Sequence, residues 1–222
     1  MAFGMNVSAG NFRDIVKYDA RAGRLFRVDR APSGEREQTP LPNGTPFAVD
    51  FASLEVGWVS FGVTGPVRSM VPYGRPVPPQ PQEMDEKGKL VARPGFFALV
   101  YNRDLGVREW CSNAAVLMTA LDAVFTSVYV GSKEASEGMI PVFAIVDAEA
   151  VTSGRGPTKS TNYAPVFEFR QWIKRDSVPD LPPQTVFVGA AGGSSAAPAP
   201  AFAAPAPAPA PASAATPSAM PF

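Results

Sequence analysis

Histidine is absent from this 222-residue chain, and cysteine occurs once, as Cys111. Without an imidazole there is no Ser-His-Asp or Cys-His arrangement, no histidine metal ligand and no proton relay working near neutral pH. One thiol forms neither an internal disulfide nor a Cys-rich zinc site, and it fits a reducing compartment. Net charge is missing as well: 20 basic and 20 acidic side chains cancel, so no overall positive field advertises a polyanion. No uncharged apolar run approaches the ~20 residues that cross a bilayer. The opening MAFGMNVSAGN has neither the basic start nor the apolar stretch of a secretory signal. These absences predict a cytoplasmic protein with no metal, no cofactor and no membrane partner.

Catalytic groups are equally sparse. Asp50 with Glu55, and Asp147 with Glu149, are close carboxylate pairs, and neither has a partner base or a glycine-rich cradle in the sequence. The segment GRGPTKS (154–160) has the outline of a phosphate-binding loop. It departs from one because Thr158 stands where glycine must precede the lysine, and a strand follows it rather than a helix. The chain is therefore read as a non-enzyme.

What is present divides into a body and a tail. Pro179, Pro182 and Pro183 punctuate the end of the last apolar segment; GAAGGSS follows, and then an Ala-Pro alternation from Ala197 to Pro211. No ionisable side chain occurs in 190–222. Such a composition buries too little surface to offset its ordering entropy, and alternating proline keeps it extended. Residues 1–178 are expected to fold, and 179–222 to form a disordered spacer.

The body reads as mainly β. RLFRVD (24–29) alternates like a short strand, and 30–46 is a polar loop. PFAVDF (46–51) and LEVGWVSFGV (54–63) are two strands rich in β-branched and aromatic residues. A long loop is expected over 64–94, then a strand at GFFALVYN (95–102), with VREWC (107–111) extending its pairing. A helix is predicted over 112–129, capped by Ser112 or Asn113, with Leu117, Leu121, Val124 and Val128 on one face. A strand at 138–151, a polar loop at 152–163 and an alternating strand at 164–175 complete the body. Strands, a helix between the third and fourth, then two more strands describe a five-stranded Greek-key barrel of the OB type.

The last strand is the most informative. Period-2 alternation places Phe167, Phe169 and Ile173 on one face and Glu168, Arg170, Trp172 and Lys174 on the other. An indole between two cations suits single-stranded nucleic acid, because the ring accepts the face of any base and the cations meet phosphates. Trp172 reads equally well as cover for the barrel edge. The loop ahead of it adds Arg155, Lys159 and Tyr163 with no acid between Gly154 and Phe167. Tyr101 with Arg103 repeats the aromatic-plus-cation pairing, beside Phe97 and Leu99 that equally suit a core. Arg68, Tyr73 and Arg75 lie in the long loop, either folding over a bound strand or forming a simple excursion. Near the N-terminus Arg13, Lys17, Arg21, Arg24, Arg27, Arg30 and Arg36 recur at spacings of mostly three or four, a basic stripe if helical and otherwise a solvated face.

With GWVSF, GFFALVY, the helix 112–129, MIPVFAIVD and YAPVFEFRQWIKR in this order, the chain resembles the OB-fold single-stranded DNA-binding proteins, particularly the divergent bacteriophage type. The ending Ala219-Met220-Pro221-Phe222 is similar to the Pro-Phe tip that follows a low-complexity spacer in the bacterial members of that family. The resemblance implies a protein that coats and protects single-stranded DNA in replication or recombination, in the host cytoplasm if phage-encoded, and that self-associates along the strand. It implies that Pro221 and Phe222 dock on replication or recombination proteins. The tail departs from the family in lacking the acids that precede that tip. The alternative from another class is a structural or assembly protein, such as a virion component, with a β-barrel body and an extended Ala-Pro arm.

Overall fold

The computed structural model describes residues 13–30, 35–62, 65–155 and 159–182. The chain divides into two units, 1–184 and 185–222; the second, with Pro221 and Phe222, lies outside the described residues. Among the described residues nine strands join in one sheet. They are β1 (Ile15–Asp19), β2 (Arg24–Arg30), β3 (Arg36–Pro40), β4 (Pro46–Gly62), β5 (Gly65–Pro72), β6 (Arg93–Asn102), β7 (Gly106–Ser112), β8 (Met139–Ser153) and β9 (Ser160–Lys174). Helix α1 (Ala115–Val124), continued by a π-helical turn at Phe125–Tyr129, and the short α2 (Lys133–Ser136) lie between β7 and β8.

The protein is thus mainly β, as its β-branched and aromatic runs predict, but the sheet exceeds the five strands expected. Its order is β3-β2-β1-β7-β6-β4-β8-β9, with β5 attached to β4 off that path. Of the additions, β2 is the short strand that the alternation of RLFRVD predicts; the others were hidden for separate reasons. In β1, Val16 and Tyr18 are buried while Lys17 is exposed, but the strand is too short for that alternation to stand out. The basic run from Arg13 to Arg36 starts just before β1 and lies on β1, β2, the turn between them and the start of β3, not on a helix. The polar loop expected at 30–46 contains β3.

Segments 46–51 and 54–63 run on as a single strand, β4, whose pairing with β6 shifts register between Asp50 and Glu55. Such a bulge bends a strand. At Gly57 a Cβ would stand 2.3 Å from the Ser69 carbonyl oxygen, so glycine lets β5 close on β4. The expected loop 64–94 therefore gives up its first part to β5. Its prolines, Pro66 and Pro72, are tolerable because β5 pairs only with β4 and is an edge strand. The following segment is tied down where the Trp58 indole N–H donates to the Pro78 carbonyl at 2.7 Å. Likewise 152–163 is largely strand. β8 and β9 extend as a two-stranded ribbon to Ser153 opposite Ser160, polar because its exposed outer end has no core to meet.

Helix α1 buries Leu117 and Leu121, with Val124 and Val128 against the same core, on the face that the spacing predicts. Its cap is not Ser112 or Asn113: β7 runs on to Ser112, the helix starts after Ala114, and Ser112 Oγ accepts the Ala114 N–H at 3.1 Å. The main core centres on Trp110, Phe143, Leu117 and Val49, with Trp110 edge-on to Phe47 and Phe96. On the opposite face Ala48, Ile140, Val142 and Val178 form a smaller cluster, joined by Tyr101, Ile173 and Leu181. The folded body accordingly continues past residue 178. The open sheet curls back on itself where the Tyr163 N–H, on β9, donates to the Ala20 carbonyl after β1 at 2.6 Å.

Candidate functional site

The alternation expected along β9 fails at one residue. Val142 of β8 faces Gln171 and Phe143 faces Phe169, which leaves Arg170 as an extra residue in the strand. One inserted residue reverses the alternation beyond it. Trp172 therefore shares the face of Phe167 and Phe169, and Lys174 accompanies it. Ile173 moves to the other face and packs on the smaller cluster. The expected platform of Arg170, Trp172 and Lys174 on a face apart from Phe169 is corrected to Phe169, Trp172 and Lys174 together.

This places Trp172 in a row of rings. Its centroid lies 5.7 Å from Phe169 and 6.4 Å from Tyr129. Tyr129 stacks on Phe125 at 5.6 Å, and Phe125 meets Tyr73 edge-on at 4.9 Å. Phe51 supports the middle of the row from beneath, 5.0 Å from Phe125 and 5.1 Å from Tyr129. The row is open at both ends: Tyr73 is 48% exposed and Phe169 39%, with Trp172 half-buried between. Beside it an open groove is lined by Phe125, Tyr129, Val130, Ser132, Lys133 and Ser136. Lys133 meets Glu137 at 3.5 Å and remains highly exposed.

The sequence pattern groups Phe169 with Phe167 and Ile173 and singles out neither Tyr129 nor Phe125, the latter buried in the main core. Leu117, Leu121, Phe125 and Tyr129 follow one another at intervals of four, so the helical stripe itself pointed to the two rings. Burial raises the Tyr129 phenol above its ordinary pKa; the Asp50 carboxylate raises it further, and Arg175 opposes them. Asp50 is 3% exposed and is held by Arg175, whose Nη2 donates to Oδ2 at 3.0 Å and to the Pro182 carbonyl at 2.7 Å. β4 pairs with β8 only from Pro46 to Ala48; beyond that the strands part, and this ion pair ties β4 to the turn that follows β9.

The remaining expected site residues are dispersed. Tyr101 lies on the opposite face from Trp172, against the smaller cluster with Val107 and Ile173, so the two do not form one platform. Arg103 is exposed in the β6–β7 turn. Arg68 is committed on β5: it meets Glu109 at 3.2 Å and lies over the Phe97 ring at 4.4 Å. Arg75 is exposed in the turn after β5, next to Tyr73. Arg155 and Lys159 are exposed near the tip of the β8–β9 ribbon. Tyr163, further down that ribbon, packs against Gly23. Arg170 pairs with Glu168 at 2.7 Å. Of the expected set, the structure brings Trp172, Lys174 and Tyr73 to one row.

Comparison with known protein families, with curated proteins and with solved structures finds no match.

Proposed function

We propose that this chain is a non-enzymatic single-stranded DNA-binding protein that coats and protects the strand in replication or recombination. The observation that carries the reading is the row Tyr73–Phe125–Tyr129–Trp172–Phe169, open at both ends and accompanied by Lys174. Unpaired bases stack on exposed rings whatever their identity, and cations beside the rings take the phosphates. Rings in a duplex-bound protein would meet bases already stacked, so the row favours the single strand.

The topology supports the same reading. Taken alone, β4, β6, β7, β8 and β9 are five strands with α1 between the third and fourth, the placement expected of an OB-like barrel, with β1–β3 and β5 as additions. The β8–β9 ribbon and the segment between β4 and β6 then occupy the places of the two loops with which such barrels grip oligonucleotides. They carry Arg155, Lys159 and Tyr163, and Tyr73 and Arg75, respectively. Proteins of replication or recombination would be recruited through Pro221 and Phe222.

Fluorescence titration with oligo-dT tests this. Trp110 is fully buried and the Trp58 indole is bonded to Pro78, so quenching reports chiefly on Trp172. Quenching with an affinity that falls steeply as salt rises is the expected result. A protein whose emission and mobility ignore oligo-dT at low salt does not have this function.

A further inference from the structure

We propose that the proline-rich segment 75–82 of one copy docks on the ring row of another, so that the chain assembles head to tail through a contact that a bound strand displaces. The docking uses the row itself; only the displacement rests on the single-strand-binding reading above.

The segment reads Arg75-Pro76-Val77-Pro78-Pro79-Gln80-Pro81-Gln82. Each proline fixes its own φ. Arg75, Val77, Pro78 and Gln80 each precede a proline and are kept out of the α region. Together these restrictions favour a polyproline II helix, and neither helix nor strand covers 76–83. Prolines carry no N–H to give to a sheet edge, so the segment meets a partner through its side chains.

Two hydrogen bonds fix how it sits. The Trp58 indole N–H donates to the Pro78 carbonyl at 2.7 Å, and Gln80 Nε2 donates to the Ala92 carbonyl at 2.9 Å. The Val91 N–H, donating to the Glu83 carbonyl at 2.9 Å, closes the excursion. A polyproline helix has three residues per turn, so residues three apart share an edge. Pro78 and Pro81 are half-buried against the body, while Pro76, Pro79 and Gln82 are exposed in succession. Val77, 45% exposed, stands beside them. A largely apolar ridge, ordered before any partner arrives, is thus turned to solvent.

Such a ridge docks on surfaces lined by aromatic rings, at low entropic cost because it is preformed. The ring row is a surface of that kind, with Tyr73 and Phe169 open and Tyr129 and Trp172 half-buried. The bonds to Trp58 and Ala92 hold the segment to its own β4 and the start of its own β6, so the row it reaches belongs to another copy. Lengths agree: 76–82 extends about 20 Å at ~3.1 Å per residue, and the row advances in steps of 4.9, 5.6, 6.4 and 5.7 Å. Charges agree as well. The segment runs from the cation Arg75 to the acid Glu83, and the row runs from the acid Asp122, one helical turn before Phe125, to the cation Lys174, two residues after Trp172. All four are exposed, and none is ion-paired among the described residues. Because the ridge and the row are different surfaces, the contact is heterologous and leaves one of each unused at the ends, which lets assembly continue.

The test follows sedimentation of the full-length chain from about 1 μM to about 1 mM. The parent should form species that grow beyond the dimer, and oligo-dT should disperse them. Pro76→Gly/Pro79→Gly loosens the ridge at two exposed positions. It should self-associate roughly tenfold or more weakly while binding oligo-dT like the parent. Trp172→Ala should show a similar loss of self-association; if it fails to fold, Phe169→Ala replaces it. Mixed in equal amounts, the ridge variant and the row variant should form dimers and nothing larger, because each supplies the half that the other lacks. A parent that stays monomeric throughout, or a glycine variant that assembles like the parent, overturns the docking. Assembly in this pattern without any binding of oligo-dT upholds the docking and overturns the single-strand reading; oligo-dT binding by a chain that never assembles does the reverse.

Discussion

Tyr18 and Tyr163, 145 positions apart, are joined by a hydrogen bond from the phenolic hydroxyl of the first to the backbone carbonyl of the second, 2.9 Å long. With the Tyr163 N–H already given to Ala20, both outward-pointing backbone groups of Tyr163 are satisfied by the β1–β2 hairpin. Backbone groups on an edge strand otherwise depend on water or a new strand. The contact therefore fixes how far the sheet curls and ties the hairpin to the strand that bears Trp172.

Tyr18→Phe keeps the ring in the core and removes the donor, at a cost of about 1 kcal/mol. It also changes the alkaline behaviour. Burial, then the Asp19 carboxylate, push the Tyr18 pKa from 10.0 to about 12. Below the unfolded value both states are neutral and the stabilisation is fully present. Above it the unfolded chain ionises first, so stability falls as pH rises toward the folded value, by up to about 2–3 kcal/mol. Melting temperatures at about pH 9 and about pH 11 should therefore diverge less in Tyr18→Phe than in the parent. Equal drops in the two proteins would show that folding does not hold the Tyr18 hydroxyl neutral in the parent.

Gly57→Ala should destabilise far more than Gly106→Ala. At Gly57 the new methyl meets the backbone of Ser69 and Met70 at 2.3 and 2.9 Å, and a backbone carbonyl in a sheet cannot step aside. Gly106 has φ +70 but open space around it, so its alanine variant costs about 1–2 kcal/mol of backbone strain. At Gly57 the loss should exceed about 3 kcal/mol, or β5 should detach. Urea unfolding measures the first, and protection of β5 amides from exchange measures the second.

Arg175→Ala should cost about 3–5 kcal/mol, because it leaves the buried Asp50 carboxylate without its partner. Asp50→Ala/Arg175→Ala should cost less than the two single changes added together. A double-mutant cycle by urea unfolding gives the coupling. Additive losses would mean that Arg175 acts only by covering the cluster around Val178.

The parts of this structure legible in the sequence are those where one periodicity runs unbroken. The stripe from Leu117 to Val128 located a helix and its buried face, and GFFALVYN located β6. The signal was lost wherever a single residue interrupts the count. Arg170 is one inserted position, yet it moves Trp172 to the face opposite the one that alternation assigns. β5 was hidden by Pro66 and Pro72, which are compatible with a strand only at an edge. The alternation of RLFRVD located β2, but that of the shorter β1, with its cations at helical spacing, was too brief to outweigh that spacing. The site inherited these losses, since Trp172 and Tyr101 were pooled though they lie on opposite faces.

That separation yields the sharpest test of the site. Trp172→Ala should weaken oligo-dT binding by about 1–3 kcal/mol if one base stacks on the indole, and Phe169→Ala should weaken it in the same sense. Tyr101→Ala should leave it unchanged, because Tyr101 is turned to the other face among Val107 and Ile173. Near-ultraviolet circular dichroism distinguishes loss of binding from loss of packing, since Trp172 also touches Tyr129. A single strand laid along the opposite face would produce the inverse ranking, with Tyr101→Ala damaging and Trp172→Ala silent, and the row of rings would then be core that happens to reach the surface.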